Sequence, residues 1–231
     1  MIFLFCGCSY RHWSEASRES INIATPAAEQ KETIFQIYVA RAYAWRGHLG
    51  VHPWVAWKRP ADKEYTVAQV TAWGISRTGS AVSVKQDLPD RMWFDNPPSI
   101  IFTATGRQAD KIIQQTEKLI QQYPFKAVYR VYPGPNSNTF VDYIIRNTPE
   151  LTVELPPTSI GKDFLVDSYL VDWSPGGKGV QVSAWGLLGF TVGATEGLEL
   201  NLLGMTFGFD FLRPALKLPF VGRLGFKDAP L

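Results

Sequence analysis

Residues 198–211, LELNLLGMTFGFDF, alternate apolar side chains with polar or small ones on both sides of Leu203-Gly204. Period two sends successive side chains to opposite faces of a strand. A two-residue connection containing glycine joins such strands into a hairpin. The same turn chemistry recurs throughout: 19 glycines and 16 prolines punctuate 231 residues. Short strands closed by tight turns point to antiparallel sheet.

Further runs fit that reading. TIFQIYVARAYAWRG starts with β-branched and aromatic residues and stops at Gly47. GVHPWVAWKRP places Val51, Pro53, Val55 and Trp57 on one side and His52, Trp54 and Ala56 on the other. Pro53 lacks an N–H, which puts this strand at an edge or the proline near its start. EYTVAQVTAWG is a third strand, joined to the second through the turn ADK, and SAVSVKQD a fourth. After the proline-rich loop 87–99 come SIIFTATG and, later, the strand-like KAVYRVY.

Two segments break the β pattern. RQADKIIQQTEKLIQQY repeats apolar or small residues at Ala109, Ile112, Ile113, Thr116, Leu119 and Ile120, the stripe of an amphipathic helix that Pro124 stops. The turn PGP leads into NSNTFVDYIIRN, a shorter helix with Phe140, Ile144 and Ile145 inward. The expected fold is α+β, a mainly antiparallel sheet with two principal helices. Residues 1–30 read as anchor and linker and 31–150 as the core. Residues 151–231 read as a glycine-rich β extension packed on the core.

Composition excludes several functions. At 45% hydrophobic and 19% charged the chain is globular, and eight Trp, nine Tyr and fourteen Phe supply large buried area. A net charge of +2 without a basic stripe argues against nucleic acid as a partner. No run of 18 apolar residues encodes a membrane helix. The only cysteines, Cys6 and Cys8, are too close for a good disulfide, so the body of the chain has no thiol nucleophile and no cysteine-ligated zinc. His48 and His52 lack the H-E-x-x-H context, SPGGKGV lacks phosphate-loop spacing, and no metal or cofactor is expected. Asp87, Asp90 and Asp95 read as solvated acids around the proline-rich loop, and RPALKLPFVGRLGFK as a basic, apolar tail at ordinary surface density.

The start, MIFLFCGCS, resembles the end of a bacterial lipoprotein signal, with Gly7 before a lipidated Cys8. The basic region and full apolar stretch of such a signal are missing. Either the true start lies upstream, or this is an apolar N-terminus packed on the domain. The first alternative implies a membrane partner through an N-terminal anchor and places the chain in the cell envelope, facing the periplasm.

The order of strand, His-bearing strand, strand, long helix, strand, tight turn and helix, with YRVYPGPNSNTF at the last steps, resembles permuted papain-like enzymes. These include retinol acyltransferase-like proteins and related amide hydrolases. The resemblance covers roughly residues 33–147 and sets Ser137 where those enzymes carry cysteine. It implies Ser137 as nucleophile and His52 as base, in a hydrolase or acyltransferase acting on an amide or ester of cell wall or lipid. His48 is a second base candidate, and Gln69 or Thr71 a third polar group to orient the imidazole. Asn136, Asn138, His48 and Trp54 are the accompanying binding candidates. A helix N-terminus suits this chemistry, because its unpaired N–H groups stabilise an oxyanion. The alternative is that Asn136 or Ser137 only caps the helix and His52 only packs, in a non-catalytic envelope protein or binding module. GHLGVHPWVAWK, YPGPNSNTFVDYI, LPPTSIGKDF and GLELNLLGMTFGFDFLRPALKLPFVGRLG together resemble a bacterial family, Domain of Unknown Function 3750, over nearly the whole chain.

Overall fold

Two antiparallel sheets divide the chain. A computed structural model describes residues 10–226; Cys6 and Cys8, with the proposed lipidation site, lie outside the described residues. The first sheet takes β1 (Ile34–Arg41), β2 (Val51–Lys58), β3 (Thr66–Val70), β4 (Val82–Gln86) and β5 (Ser99–Thr105), in the spatial order β4-β3-β2-β1-β5. Three α-helices accompany it: α1 (Ala72–Thr78), α2 (Gly106–Gln122) and α3 (Ser137–Arg146). The chain is therefore an α+β protein with mainly antiparallel sheets.

The alternation read in β2 sorts the two faces of this sheet. Phe35 lies opposite Trp57 and Ile37 opposite Val55. These four join Ile112 and Ile113 of α2 and Phe140 and Ile144 of α3 in the main core. Burying each such side chain is worth roughly 1.5–3 kcal/mol. On the other face Tyr38 lies opposite Trp54 and Ala40 opposite His52. A smaller cluster there takes in Trp93, Phe94 and, from the N-terminal segment, Ala16. Pro53 sits near the start of β2, outside the Val55–Trp57 stretch that pairs with β3, so its missing N–H costs that pairing nothing although the strand is internal.

Four local expectations are corrected. The first strand ends at Arg41, and Ala44–His48 form a 3-10 turn. The third strand ends at Val70. The following residues wind into α1, where Gly74 lets the chain double back against Ser80 and Ala81. KAVYRVY is irregular. Its peptide groups serve other partners, Lys126 O accepting from Ala81 N at 2.6 Å and Arg130 N donating to Pro135 O at 2.8 Å. Asp90 and Asp95 of the proline-rich loop hold the N-terminal segment, and Asp87 pairs with Lys85 and Arg91, so none of the three stands free in water. Asp90 accepts from Ser20 Oγ at 2.7 Å and Ile23 N at 2.8 Å, and Asp95 from Ser17 N at 2.8 Å.

The second sheet is a sequential meander of β6 (Val171–Trp173), β7 (Gly179–Ala184), β8 (Leu188–Gly193), β9 (Gly197–Leu202), β10 (Met205–Asp210), β11 (Ala215–Leu218) and β12 (Gly222–Gly225). Its polarity is inverted. The face turned inward carries Gln181, Glu199, Asn201, Asp210 and Lys217, all buried, while the apolar alternates stand outside. Buried charges survive only when paired. Lys217 Nζ lies 2.8 Å from Glu199 and 2.6 Å from Glu154, and Lys162 Nζ lies 2.6 Å from Glu199. Burial opposes the charge on Lys162, but Asp163 and Glu199 outweigh it and hold its pKa above the ordinary lysine value. Arg146 of α3 pairs with Asp142 and reaches Gln181, tying the inverted sheet to the helix.

Candidate active site

The start of α3 is held by asparagines on either side of Ser137. Asn136 is the N-cap: its Oδ1 accepts from Asn138 N at 2.9 Å and Thr139 N at 3.2 Å. Thr139 Oγ1 accepts from Asn136 N at 3.1 Å, completing a capping box. Asn136 Nδ2 donates to Val131 O at 3.1 Å and Ile160 O at 3.0 Å. Asn138 Nδ2 donates to Ile160 O at 2.8 Å and Val51 O at 3.2 Å, which brings the start of β2 against the start of α3. Gly161 permits this latch. Its φ is +102°, and a Cβ there would stand 2.8 Å from the carboxamide carbon of Asn136.

This arrangement relieves Ser137 of capping. The residue is buried, at 3% exposure, and lines a cavity of about 1290 Å³. Its hydroxyl and backbone N–H face the Tyr129 phenol. Burial pushes that phenol's pKa up, and the Ser137 contacts only partly offset the rise, so the phenol keeps its proton.

His52 opens on the same cavity. Its Nε2 lies 3.0 Å from Gln69 Oε1. An amide oxygen only accepts, so Nε2 carries the proton and Nδ1 is left with a lone pair. Trp93 stacks on the imidazole at 3.6 Å between centroids and 11° between planes, and Trp73 stacks on Trp93 in turn. Burial lowers the His52 pKa to about 4 against the smaller upward pull of Gln69, so the ring is neutral at neutral pH. His52 and Gln69 project from the sheet face opposite the one that α3 covers. No hydrogen bond joins His52 to Ser137; both line the same cavity.

The cavity wall is aromatic and basic. Trp45, Trp73, Trp93 and Tyr132 contribute apolar area. Arg18, Arg46, Arg77, Lys85 and Arg91 line it with no acidic residue among them. Lys85 and Arg91 pair with Asp87. Arg18, Arg46 and Arg77 form no ion pair among the described residues; Arg18 lies over the Phe94 ring at 4.3 Å. Thr71 is buried in the wall.

The remaining sequence candidates lie elsewhere. His48 bonds Tyr10 through Nε2 at 2.6 Å and lines a separate small pocket with Arg41 and Phe220, because the 3-10 turn removes it from the strand that carries His52. Trp54 stacks on Tyr38 and donates to Pro89 O at 2.8 Å, as a packing residue off the cavity wall. Tyr129 and Trp93 are site residues that the sequence reading did not single out. Tyr129 stands inside YRVYPGPNSNTF, so the motif held the signal, whereas Trp93 lies in an irregular loop without a periodic cue. Among the described residues no cluster of His, Cys, Asp and Glu is poised to hold a metal ion.

Residues 32–164, from just before β1 through the Gly161 latch, match the model of a family described as Protein of unknown function (DUF3750). The chain belongs to this family. The match spans more than half of the chain and contains every residue of the Ser137, His52, Gln69 and Tyr129 constellation. No curated protein and no solved structure matches the chain.

Proposed function

We propose that this DUF3750 member is a serine hydrolase or acyltransferase of the bacterial cell envelope, acting on an amide or ester of the cell wall or of a lipid. The observation that carries the reading is that Ser137, free of capping duty, shares one cavity with a neutral His52 oriented by Gln69. In this chemistry His52 Nδ1 takes the Ser137 proton as Oγ attacks the acyl carbon. The Ser137 N–H and the protonated Tyr129 phenol are the donors at hand for the developing oxyanion. Protonated His52 returns its proton to the leaving group, and water or a second acceptor releases the acyl-enzyme. The base and nucleophile close to hydrogen-bond distance on substrate binding, as catalytic pairs that are loose in the free enzyme do. The permuted papain-like arrangement implied by YRVYPGPNSNTF supplies the same roles with serine in place of cysteine. Anchoring through a lipidated Cys8 belongs to the same proposal.

Hydrolysis of activated acyl esters tests it. Ser137→Ala and His52→Asn each abolish turnover, and Gln69→Ala lowers kcat with KM little changed. Turnover that survives Ser137→Ala refutes the assignment. A second reading, a binding pocket without chemistry, is favoured by the Trp93 stack on His52 and the missing Ser137–His52 bond. It predicts ligand binding with no turnover in any variant.

A further inference from the structure

Among the described residues nothing covers the outward face of the second sheet, and that face has almost no polar atom. From β6 through β11 every outward strand residue is Val, Leu, Phe, Met, Ala or Trp. They pair across strands, Phe190 and Phe207 both flanking Leu200, and Phe209 lying beside Leu198. The apolar surface runs on past the strands. The hairpin tips at one end hold Trp185, Leu203 and Val221, which are 70%, 65% and 56% exposed. Turn tips in water are ordinarily polar, and contiguous apolar surface of this kind marks an interaction site.

The end of the sheet with these tips is basic. The tips touch basic segments: Arg41 donates to Phe220 O at 3.1 Å, and Tyr132, two residues from the exposed Arg130, donates to Leu203 O at 3.0 Å. Arg46 lies with Tyr132 in the cavity wall. Segments 41–57, 125–137, 183–195 and 197–198 hold no Asp or Glu. The hairpins at the opposite end mix both signs, with Lys178 and Arg213 beside the buried Glu196.

We propose that this face and its tips dock on the hydrocarbon of an anionic lipid bilayer, with Arg41, Arg46 and Arg130 meeting headgroup phosphates. Side chains that, the Trp173 and Trp185 indoles apart, cannot hydrogen-bond suit acyl chains, whereas protein interfaces carry a polar rim and regular hydrogen bonds. A second copy packed strand face to strand face covers the strands but not tips that extend past them. The strands are three to six residues long, and a membrane-crossing strand needs ~9–11, so the sheet lies on one leaflet. The docking is independent of any lipid on Cys8 and of the chemistry at Ser137. It sets the cavity, whose wall includes Tyr132, beside the bilayer.

The test is vesicle flotation of the full chain carrying Cys8→Ser, so that no N-terminal lipid contributes. Vesicles are phosphatidylcholine alone or mixed with phosphatidylglycerol. The protein floats with the mixed vesicles and more weakly with the neutral ones. Leu200→Thr with Phe207→Thr weakens flotation roughly a hundredfold, from the apolar burial lost, while the thermal melt of this exposed-site variant is unchanged. Arg46→Gln with Arg130→Gln weakens binding to the mixed vesicles roughly tenfold or more and leaves neutral vesicles unaffected. Flotation that the threonine pair does not alter overturns the proposal. So does a lipid-free dimer that the same pair dissociates in a protein that never floats.

Discussion

Replacing Ser137 and replacing Asn136 by alanine have sharply different consequences for stability. Asn136 Oδ1 accepts the Asn138 and Thr139 N–H groups, and its Nδ2 donates to Val131 O and Ile160 O. Loss of such a cap costs about 1–2 kcal/mol. Ile160 O keeps a donor in Asn138 Nδ2, but Val131 O loses the donor that Asn136 gave it, adding about 1–2 kcal/mol. Asn136→Ala therefore costs about 3 kcal/mol, which lowers Tm by roughly 6–12 °C in a chain of this size. The Ser137 hydroxyl takes no part in the cap and touches only the Tyr129 phenol, so Ser137→Ala costs about 1 kcal/mol. Urea denaturation followed by circular dichroism gives both values, with equal slopes confirming that the unfolded states compare. If Ser137→Ala costs as much as Asn136→Ala, the serine is a structural cap and the separation of roles at this turn is wrong.

Three further outcomes follow from the same geometry. The His52 pKa is lowered to about 4, so between its unfolded value near 6.5 and pH 4 the unfolded chain binds the extra proton. Stability therefore falls as pH drops through that window, by at most about 3 kcal/mol, and pH-dependent denaturation of His52→Gln lacks this component. Gly161→Ala adds a Cβ 2.8 Å from the Asn136 carboxamide carbon at a left-handed backbone position, costing about 2 kcal/mol or more in thermal unfolding. Glu199→Leu strips both Lys162 and Lys217 of a buried carboxylate and costs about 3–5 kcal/mol by denaturant titration.

Local patterns carried much of this fold. The stripe of α2, the β2–β3 hairpin and the β9–β10 hairpin at Leu203-Gly204 were legible because each depends on periodicity and turn residues close in sequence. α1 was not, since Thr71-Ala72-Trp73 continues the alternation of β3, and only the close approach of Gly74 to Ser80 and Ala81 bends it into a helix. KAVYRVY alternates as a strand does, yet neither sheet has an edge that takes it. In the second sheet, period two identified the strands but not which side faces inward. Apolar residues ordinarily go inside, and here Glu199 and Lys217 do, because Lys162 and Glu154 meet them from a distant loop. At the site, the pairing of His52 with Gln69 followed from neighbouring strands. The meeting of Tyr129 with Ser137 and the Trp93 stack depend on irregular chain that no period describes.

Activity-based labelling reads the reactivity of Ser137 directly. A fluorophosphonate exposed to the native chain is displaced at phosphorus by an activated serine with loss of fluoride, and peptide mass spectrometry locates the adduct. A single adduct forms on Ser137 at neutral pH, is lost in His52→Asn although that variant stays folded, and declines as pH falls through the His52 titration. An unmodified Ser137, or labelling that persists without His52, contradicts the assignment of Ser137 and His52.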